Sequence, residues 1–181
     1  MSMWRRGLLV GRFQPFHLGH LHAVRYALEK VEELCILVGS ADKSHQLDNP
    51  FTAGERVYMI KAAVEEANID CKRVLIIPLP DASAHSLWVA SVKANVPKFE
   101  VVFSNDPLTR RLFKEEGFTV LDIPFYERST FSATEVRRRM ISGEPWEELV
   151  PKSVARIIRE VGGVDRLKQL NQRNGHTHSV N

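Results

Sequence analysis

Short, continuous apolar runs alternate with longer amphipathic segments along the 181-residue chain. Five such runs are Leu8–Val10, Leu34–Val38, Val74–Ile77, Val101–Phe103 and Val120–Ile123. Most of them contain no alternating polar residue, which is typical of strands buried on both faces of a parallel sheet. The pattern therefore predicts about five parallel strands.

The longer segments between these runs have helical periodicity. Apolar residues recur at intervals of three and four from His20 to Glu32 and again from Thr52 to Ala67. Strands and helices in alternation predict a doubly wound α/β fold, a Rossmann-like parallel sheet with helices on both faces. In such a sheet, ligands bind beyond the carboxyl ends of the strands, where the strand order reverses.

Several helix boundaries are marked by capping residues. Thr52–Glu55 and Ser132–Glu135 both fit a capping box, in which a hydroxyl and a carboxylate each accept a backbone N–H. Asp106-Pro107 is typical of an N-cap followed by the first helical residue. Beyond Gly143 the pattern predicts a small helical carboxyl-terminal part, whose last helix runs from Val164 to Leu170.

Length and composition predict one soluble domain over residues 1–181, folded from about 5 to 170 and followed by a flexible tail over 171–181. No apolar run approaches the roughly 20 residues of a membrane span, and the first residues lack the pattern of a signal peptide. Cys35 and Cys71 are isolated, which favours a reducing cytoplasm over a disulfide framework. A net charge of +3 is too small to predict nucleic-acid binding.

The stretch from Gly11 to His20, GRFQPFHLGH, concentrates polar groups where the first strand passes into the first helix. Helix N-termini offer free N–H groups and a partial positive charge, both of which favour phosphates. His17 and His20 add side-chain donors, and Gly19 between them permits a close approach. The alternative is a turn in which the two histidines cap the helix or pack locally.

This stretch contains an HxGH pattern after the first strand and in that respect resembles the nucleotidyltransferase superfamily. Over its full length it is similar to the motif of the archaeal-type nicotinamide mononucleotide adenylyltransferases. The resemblance extends to about residue 170 through Gly39–Ala41, Ser44–His45, Asn49–Arg56, Leu87–Val89 and Ser132–Arg139. It implies transfer of AMP from ATP to nicotinamide mononucleotide, which gives NAD and pyrophosphate.

For ATP, the resemblance implies that His17 and His20 bind phosphates, with His20 at the α-phosphate. It also implies that Arg12 steers the phosphates and that Arg137 holds the β- and γ-phosphates. Further nucleotide-binding positions implied by the same motifs are Gly11, Phe13, Gln14, Gly19, Ser132 and Thr134. Adenylyl transfer needs no protein nucleophile because the acceptor phosphate attacks the α-phosphate, so positioning and charge stabilisation can supply the catalysis.

On the acceptor side, the resemblance implies roles for Trp88, Asp81 and His85. An indole face can stack on a nicotinamide ring, and the cationic pyridinium adds a cation–π attraction. Lys43, in the loop after the second strand, could reach the triphosphate. The alternatives are core packing for Trp88, a solvated loop position for Asp81 and a surface position for Lys43.

Two positions depart from the family pattern. Asp48 stands where some relatives carry arginine, which removes a possible phosphate contact. His85 stands where asparagine is expected to bind the nicotinamide amide; histidine can also donate and accept, so the choice between amide and acid acceptors is open. Arg138 and Arg139 lie on other faces of their helix than Arg137, where ordinary solvated charge is expected.

The resemblance further implies Mg²⁺ bound through the ATP phosphates and a homo-oligomer such as a hexamer. The sequence contains no acidic cluster with the spacing of a protein-bound metal site. Two other functions are left open. One is adenylyl transfer to nicotinate mononucleotide, FMN or phosphopantetheine, and the other is a non-catalytic nucleotide-binding regulator. Neither a membrane nor a nucleic acid is predicted as a partner.

Overall fold

A five-stranded parallel sheet forms the framework of the computed structural model, which describes residues 3–127 and 131–176. The strands are paired in the order β3-β2-β1-β4-β5, and every neighbouring pair is parallel. Their bounds are β1 (Trp4–Gly11), β2 (Val31–Val38), β3 (Val74–Pro78), β4 (Val101–Phe103) and β5 (Thr119–Leu121). The predicted strand number and Rossmann-like class are confirmed.

Helices follow each of the first four strands, and three more lie at the carboxyl end of the described chain. They are α1 (Leu18–Leu28), α2 (Ala53–Glu66), α3 (His85–Asn95), α4 (Pro107–Glu115), α5 (Ala133–Ser142), α6 (Lys152–Glu160) and α7 (Gly163–His176). Helix α7 continues to His176, beyond the predicted end at Leu170. Residues 177–181 of the predicted tail lie outside the described residues.

Both faces of the sheet are buried, because successive strand residues enter two different apolar clusters. Leu9 of β1 packs in the cluster formed with α1, α2, α5, α6 and α7, whereas Leu8 packs in the cluster formed with α3 and α4. In β2, Leu34 and Ile36 join the first cluster and Cys35 joins the second. This two-sided burial explains why the strands are continuous apolar runs.

The strand order reverses at β1, which pairs with β2 on one side and with β4 on the other. A crevice opens there at the carboxyl ends of the strands, as expected for a doubly wound sheet. The backbone N–H of Gly39, after β2, donates to the carbonyl of Gly11 at 2.9 Å and holds the two strand ends together. The motif after β1 therefore begins at the crevice.

Most of the predicted helix starts are confirmed, and one is partly wrong. Thr52 and Glu55 form the expected capping box. Ser132 Oγ accepts the N–H of Glu135 at 3.1 Å, but the Glu135 carboxylate pairs with Arg138 and Arg139 instead of completing the box. Two guanidinium groups on the next turn compete for that carboxylate more strongly than one backbone N–H.

No helix in the described ranges combines the length and the apolar character needed to cross a membrane.

Candidate active site

His17 and His20 are joined to each other and to the start of α1. His17 is the N-cap of this helix, and its Nδ1 accepts the backbone N–H groups of Gly19 at 3.0 Å and His20 at 3.3 Å. His20 Nδ1 accepts the N–H of His17 at 3.1 Å, and the two rings are stacked with centroids 3.6 Å apart. The capping alternative is therefore correct, and it occupies one ring nitrogen of each histidine.

The caps also fix which nitrogen carries the proton. Because Nδ1 accepts in both rings, the neutral form of each ring carries its hydrogen on Nε2. Burial lowers the pKa of His17 to about 4. Burial, together with the neighbouring His17, holds the pKa of His20 well below its ordinary value. At neutral pH the pair therefore offers two Nε2–H donors and no positive charge.

Three residues of the motif create the space for these rings. A Cβ on Gly19 would lie 2.8 Å from Cε1 of His17, so only glycine fits beside the imidazole. Phe13, a buried residue with φ of 55°, meets the His20 ring edge-on with centroids 4.8 Å apart. A Cβ on Gly11 would lie 2.7 Å from the Phe13 ring. Phe13 and Gly11 thus act on His20 through packing.

Gln14 uses its side chain to connect protein segments. It is buried, and its carboxamide both donates to the carbonyl of Phe51 at 3.0 Å and accepts the N–H of Phe51 at 2.9 Å. Its own backbone carbonyl accepts Nη1 of Arg137 at 2.9 Å. Gln14 therefore joins the loop after β1 to the start of α2 and to α5.

Helix α5 brings a second N-terminus towards the same crevice. Arg137, which is 9% exposed, also donates Nη2 to the hydroxyl of Thr134 at 3.5 Å. Burial lowers the pKa of Arg137, and the Asp48 carboxylate partly offsets this effect. Asp48, which stands where the family pattern has arginine in some relatives, is thus close enough to Arg137 for its charge to act on the guanidinium. Arg138 and Arg139 form salt bridges with Glu135 and other carboxylates; Arg138 is solvated as predicted, with 51% of its side chain exposed, whereas Arg139 is only 20% exposed.

A cavity of about 350 Å³ lies between the N-termini of α1 and α5. It contains most of the residues that the sequence assigned to the ATP phosphates. These are Arg12, Phe13, Gln14, His17, Gly19, His20, Ser132 and Arg137. Two helix N-termini, two neutral N–H donors and two guanidinium groups in one cavity form a site suited to a polyphosphate.

A second cavity, of about 740 Å³, adjoins the first. The two share Val10, Arg12, Ser104 and Asp106, so that they form one cleft across the carboxyl ends of β1 and β4. The second cavity contains five further predicted positions, namely Gly11, Lys43, Asp81, His85 and Trp88, whereas the predicted Thr134 lines neither cavity. The cleft therefore brings the two predicted halves of the site side by side.

Lys43 and Asp81 form an ion pair of 2.7 Å at this second cavity. Ser40 Oγ donates to the other carboxylate oxygen of Asp81 at 2.9 Å. The hydrogen bond with Asp81 raises the pKa of Lys43. Burial raises the pKa of Asp81, but hydrogen bonds from Lys43 and Ser40 outweigh this and lower it. Lys43 is thus directed at Asp81, on the opposite side of the cleft from the histidines.

Trp88 packs against the core and also lines the cleft. The indole meets the Phe113 ring edge-on with centroids 5.3 Å apart and packs against the cluster between α3 and α4. It also lines the second cavity, together with His85 one turn earlier on α3. Packing against the core therefore limits how the indole can turn where it lines the cavity.

Two residues of the site were not singled out from the sequence. Asn49 is buried and its Oδ1 accepts Nη1 of Arg12 at 3.3 Å, which orients that guanidinium. Arg56 is fully buried beneath the crevice. One signal could have found it, because Arg56 precedes Ile60 and Ala63 by four and seven positions and so lies on the apolar stripe of α2.

Comparison with known proteins assigns the family. Residues 8–139 match the model of the cytidylyltransferase-like family. The chain belongs to this family. The match begins in β1 and ends in α5, so it spans both of the helix N-termini that form the phosphate-side cavity.

Curated relatives agree over most of the chain. The nicotinamide-nucleotide adenylyltransferase of Archaeoglobus fulgidus is 53% identical over 93% of this chain and 98% of its own length. The enzymes of the same name from Thermococcus kodakarensis and Ignicoccus hospitalis are each 50% identical over 93% of this chain, covering 89% and 99% of their own lengths. The resemblance seen in the sequence motifs is confirmed.

A solved structure supports the fold. A bifunctional NMN adenylyltransferase/ADP ribose pyrophosphatase from Francisella tularensis, complexed with AMP and a manganese ion, matches with a TM-score of 0.81 and 26% identity. The match covers 94% of this chain but only 54% of that one, so this family member spans about half the length of the bifunctional protein.

Proposed function

We propose that the protein transfers the adenylyl group of ATP to the phosphate of nicotinamide mononucleotide and so produces NAD and pyrophosphate. The observation that supports this proposal is the continuous cleft, with a cavity lined by His17, His20 and Arg137 at one end and Trp88 and Asp81 at the other. The curated relatives named nicotinamide-nucleotide adenylyltransferase support the same reaction.

In the proposed reaction, an oxygen of the acceptor phosphate attacks the α-phosphorus of ATP. A new P–O bond forms, the bond to the bridging oxygen of the β-phosphate breaks, and pyrophosphate leaves with the bonding electrons. The Nε2–H groups of His20 and His17 donate to the α-phosphate oxygens as negative charge develops there. Arg137 and the N-terminus of α5 bind the β- and γ-phosphates, and Arg12 lies between the two cavities to orient both phosphate groups.

On the acceptor side, Trp88 stacks on the nicotinamide ring and Asp81 accepts a hydrogen bond from the nucleotide. His85, the first residue of α3, faces the ring substituent. Lys43 and Ser40 hold the Asp81 carboxylate in place. Since Asp81 carries a lowered pKa, it acts as an ionised acceptor at neutral pH.

We assign Mg²⁺ to the phosphates of ATP. In the described part of the chain, no three His, Cys, Asp or Glu residues are grouped so as to hold a metal ion. A site lined by arginines and histidine N–H groups fits a metal ion that arrives on the nucleotide, because Mg²⁺ binds phosphate oxygens and retains several waters. When bound, the ion would neutralise negative charge on the phosphates.

The function is tested by incubating purified protein with ATP, Mg²⁺ and a panel of acceptors, and by measuring pyrophosphate and dinucleotide. The panel contains nicotinamide mononucleotide, nicotinate mononucleotide, FMN and phosphopantetheine. NAD formation is expected. Reaction with only one of the other acceptors would make the specific assignment wrong, and ATP binding without any reaction would favour a regulator.

We also propose that the protein is a homo-oligomer, with a hexamer as the expected form. Light scattering of the purified chain measures its mass directly. A monomeric mass would contradict this proposal while leaving the proposed reaction untouched.

A further inference from the structure

Arg56 is an arginine in the interior of the protein. It lies in the first turn of α2 and is 0% exposed, which makes it the largest of the fully buried side chains. An ionised side chain is almost never fully buried unless its charge and its donors are matched by partners. The partners of Arg56 therefore indicate what the residue is for.

The guanidinium group offers five N–H donors in a rigid plane. Arg56 directs them at five backbone carbonyl oxygens, and no other side chain described here joins so many separate points of the chain. The acceptors are the carbonyls of Thr52 (3.2 Å, from Nε), Arg12 and Gly39 (2.9 and 2.8 Å, from Nη1), and Ser40 and Lys43 (3.0 and 3.4 Å, from Nη2).

These carbonyls belong to both halves of the cleft. Arg12 begins the loop after β1, which continues to His17 and faces the polyphosphate cavity. Ser40 and Lys43 belong to the loop after β2, and their side chains hold Asp81 in the acceptor cavity. One planar cation beneath the crevice therefore connects the ATP-side loop to the acceptor-side loop.

We propose that Arg56 is a positioning residue that sets the distance and angle between the ATP-binding and acceptor-binding loops. This inference rests on the proposed adenylyl transfer and extends it to a residue that contacts neither substrate. In-line attack requires the acceptor oxygen and the α-phosphate to meet at a fixed separation. Without Arg56, each loop keeps its own substrate contacts, but the position of one loop relative to the other is no longer fixed.

Arg73 is a matched control at the opposite end of the sheet. Its guanidinium also donates to backbone carbonyls, those of Glu32 at 2.9 Å and of Leu28 and Val31 at 2.7 Å. These acceptors precede or begin β2, away from the crevice at the carboxyl ends of the strands. Arg73 therefore also joins backbone segments through its guanidinium group, but it contacts neither substrate loop.

The experiment compares Arg56→Lys with Arg73→Lys and with the wild type. Lysine keeps the charge but cannot reach five carbonyls at once. We expect kcat of Arg56→Lys, with ATP and nicotinamide mononucleotide both saturating, to fall roughly 10- to 100-fold. The dissociation constant of each substrate, measured alone by calorimetry, should change less than about threefold. Arg73→Lys should lower the melting temperature and leave kcat within about twofold of the wild type.

A second variant keeps the inference testable if Arg56→Lys folds poorly. Arg56→Ala, which leaves a guanidinium-sized space, should regain part of its kcat when guanidinium is added at low concentration, and methylammonium should not restore it. The inference is overturned by an unchanged kcat in folded Arg56→Lys, by equal losses in binary affinity, or by an equal kcat loss in Arg73→Lys. Failure of both Arg56 variants to fold while Arg73→Lys folds would also overturn it, since the role would then be purely structural. A wild-type protein that forms no dinucleotide would instead overturn the proposed function.

Discussion

The imidazole rings of His17 and His20 stack with centroids 3.6 Å apart, and each residue accepts the backbone N–H of the other. This reciprocal cap uses Nδ1 of both rings and leaves Nε2 of both as donors. The same pair therefore begins α1 and provides the neutral donors of the proposed phosphate site. Truncating either residue to alanine would therefore remove the cap and the donor together.

The first prediction separates these two roles at His20. Replacing it with glutamine keeps a side chain that can complete the capping box at the third helical position, whereas alanine does not. Both variants lose the imidazole Nε2–H donor, and a glutamine whose carbonyl oxygen caps the helix presents its NH2 group from a different position, so kcat should fall roughly 100- to 1000-fold in each. Only His20→Ala should also lose stability, by about 1 kcal/mol.

Steady-state kinetics measure kcat, and urea unfolding of the same samples measures stability. The KM for nicotinamide mononucleotide should stay nearly constant, because His20 lies in the phosphate cavity and not in the acceptor cavity. A wild-type kcat in His20→Gln would contradict the assigned role.

The second prediction concerns the pH dependence of stability. In the unfolded chain His17 takes up a proton near its ordinary pKa of 6.5, whereas in the folded protein burial delays this to about pH 4. The unfolded state thus binds more protons between these values, so stability is complete above pH 6.5 and is lost as the pH falls towards 4. The loss from this one residue amounts to about 3 kcal/mol.

Urea unfolding at pH 7 and pH 4.5 measures this effect when the wild type is compared with His17→Asn. Asparagine is a good N-cap that does not titrate, so it isolates the contribution of the imidazole. We expect the wild type to lose about 2 to 3 kcal/mol more than the variant between the two pH values. Equal losses would show that His17 is not protonated on unfolding in this range.

The sheet and its helices were predictable because their signals are local. Continuous apolar runs follow from burial on both faces of the sheet, and Gly143 ends α5 with φ of 79°, as glycine commonly does at this position. The incomplete capping box at Ser132 was not predictable, since it depends on which of several groups Glu135 prefers once Arg138 and Arg139 are placed on the same helix.

The sequence predicted most of the residues that line the candidate site, but not what each of them contacts. The motif from Gly11 to His20 identified the crevice, yet Phe13 and Gln14 support the loop by packing and by hydrogen bonds to the backbone. Arg56 escaped notice because its acceptors are backbone carbonyls, which any residue supplies, as far as 44 positions away. Pairing of Lys43 with Asp81 likewise joins loops that only the sheet brings together.

The third prediction tests the space beside His17. In Gly19→Ala the new methyl group would lie 2.8 Å from Cε1 of His17 and 3.3 Å from the carbonyl oxygen of Phe131. The imidazole must move, so kcat should fall at least about 10-fold through misplacement of the donor. Gly54→Ala is the matched control, because a Cβ there meets nothing within 4 Å and α2 should become slightly more stable.

Kinetics and thermal unfolding of the two alanine variants, measured side by side, decide this point. Because both substitutions add one methyl group in the first turn of a helix, a general effect of alanine would appear in both. Equal kcat values in Gly19→Ala and Gly54→Ala would mean that the His17 ring tolerates displacement.

The fourth prediction tests the division of the cleft into two ends through Asp81. Asp81→Asn removes the charge that accepts from Lys43 and Ser40 and that we assign to the acceptor nucleotide. A hydrogen bond to a charged group contributes about 1.5 to 3 kcal/mol, so the KM for nicotinamide mononucleotide should rise roughly 10- to 100-fold. The KM for ATP should change by less than about twofold, because Asp81 lines only the second cavity.

The matched control is Asp122→Asn, which also breaks an ion pair, that of Asp122 with Arg110 at 2.5 Å. Its carboxylate is largely exposed and lies outside both cavities of the cleft, so neither KM should move. Varying one substrate at a fixed saturating level of the other separates the two KM values. Parallel increases in both KM values of Asp81→Asn would mean that the carboxylate stabilises the cleft as a whole, and the assignment of Asp81 to the acceptor end would then be wrong.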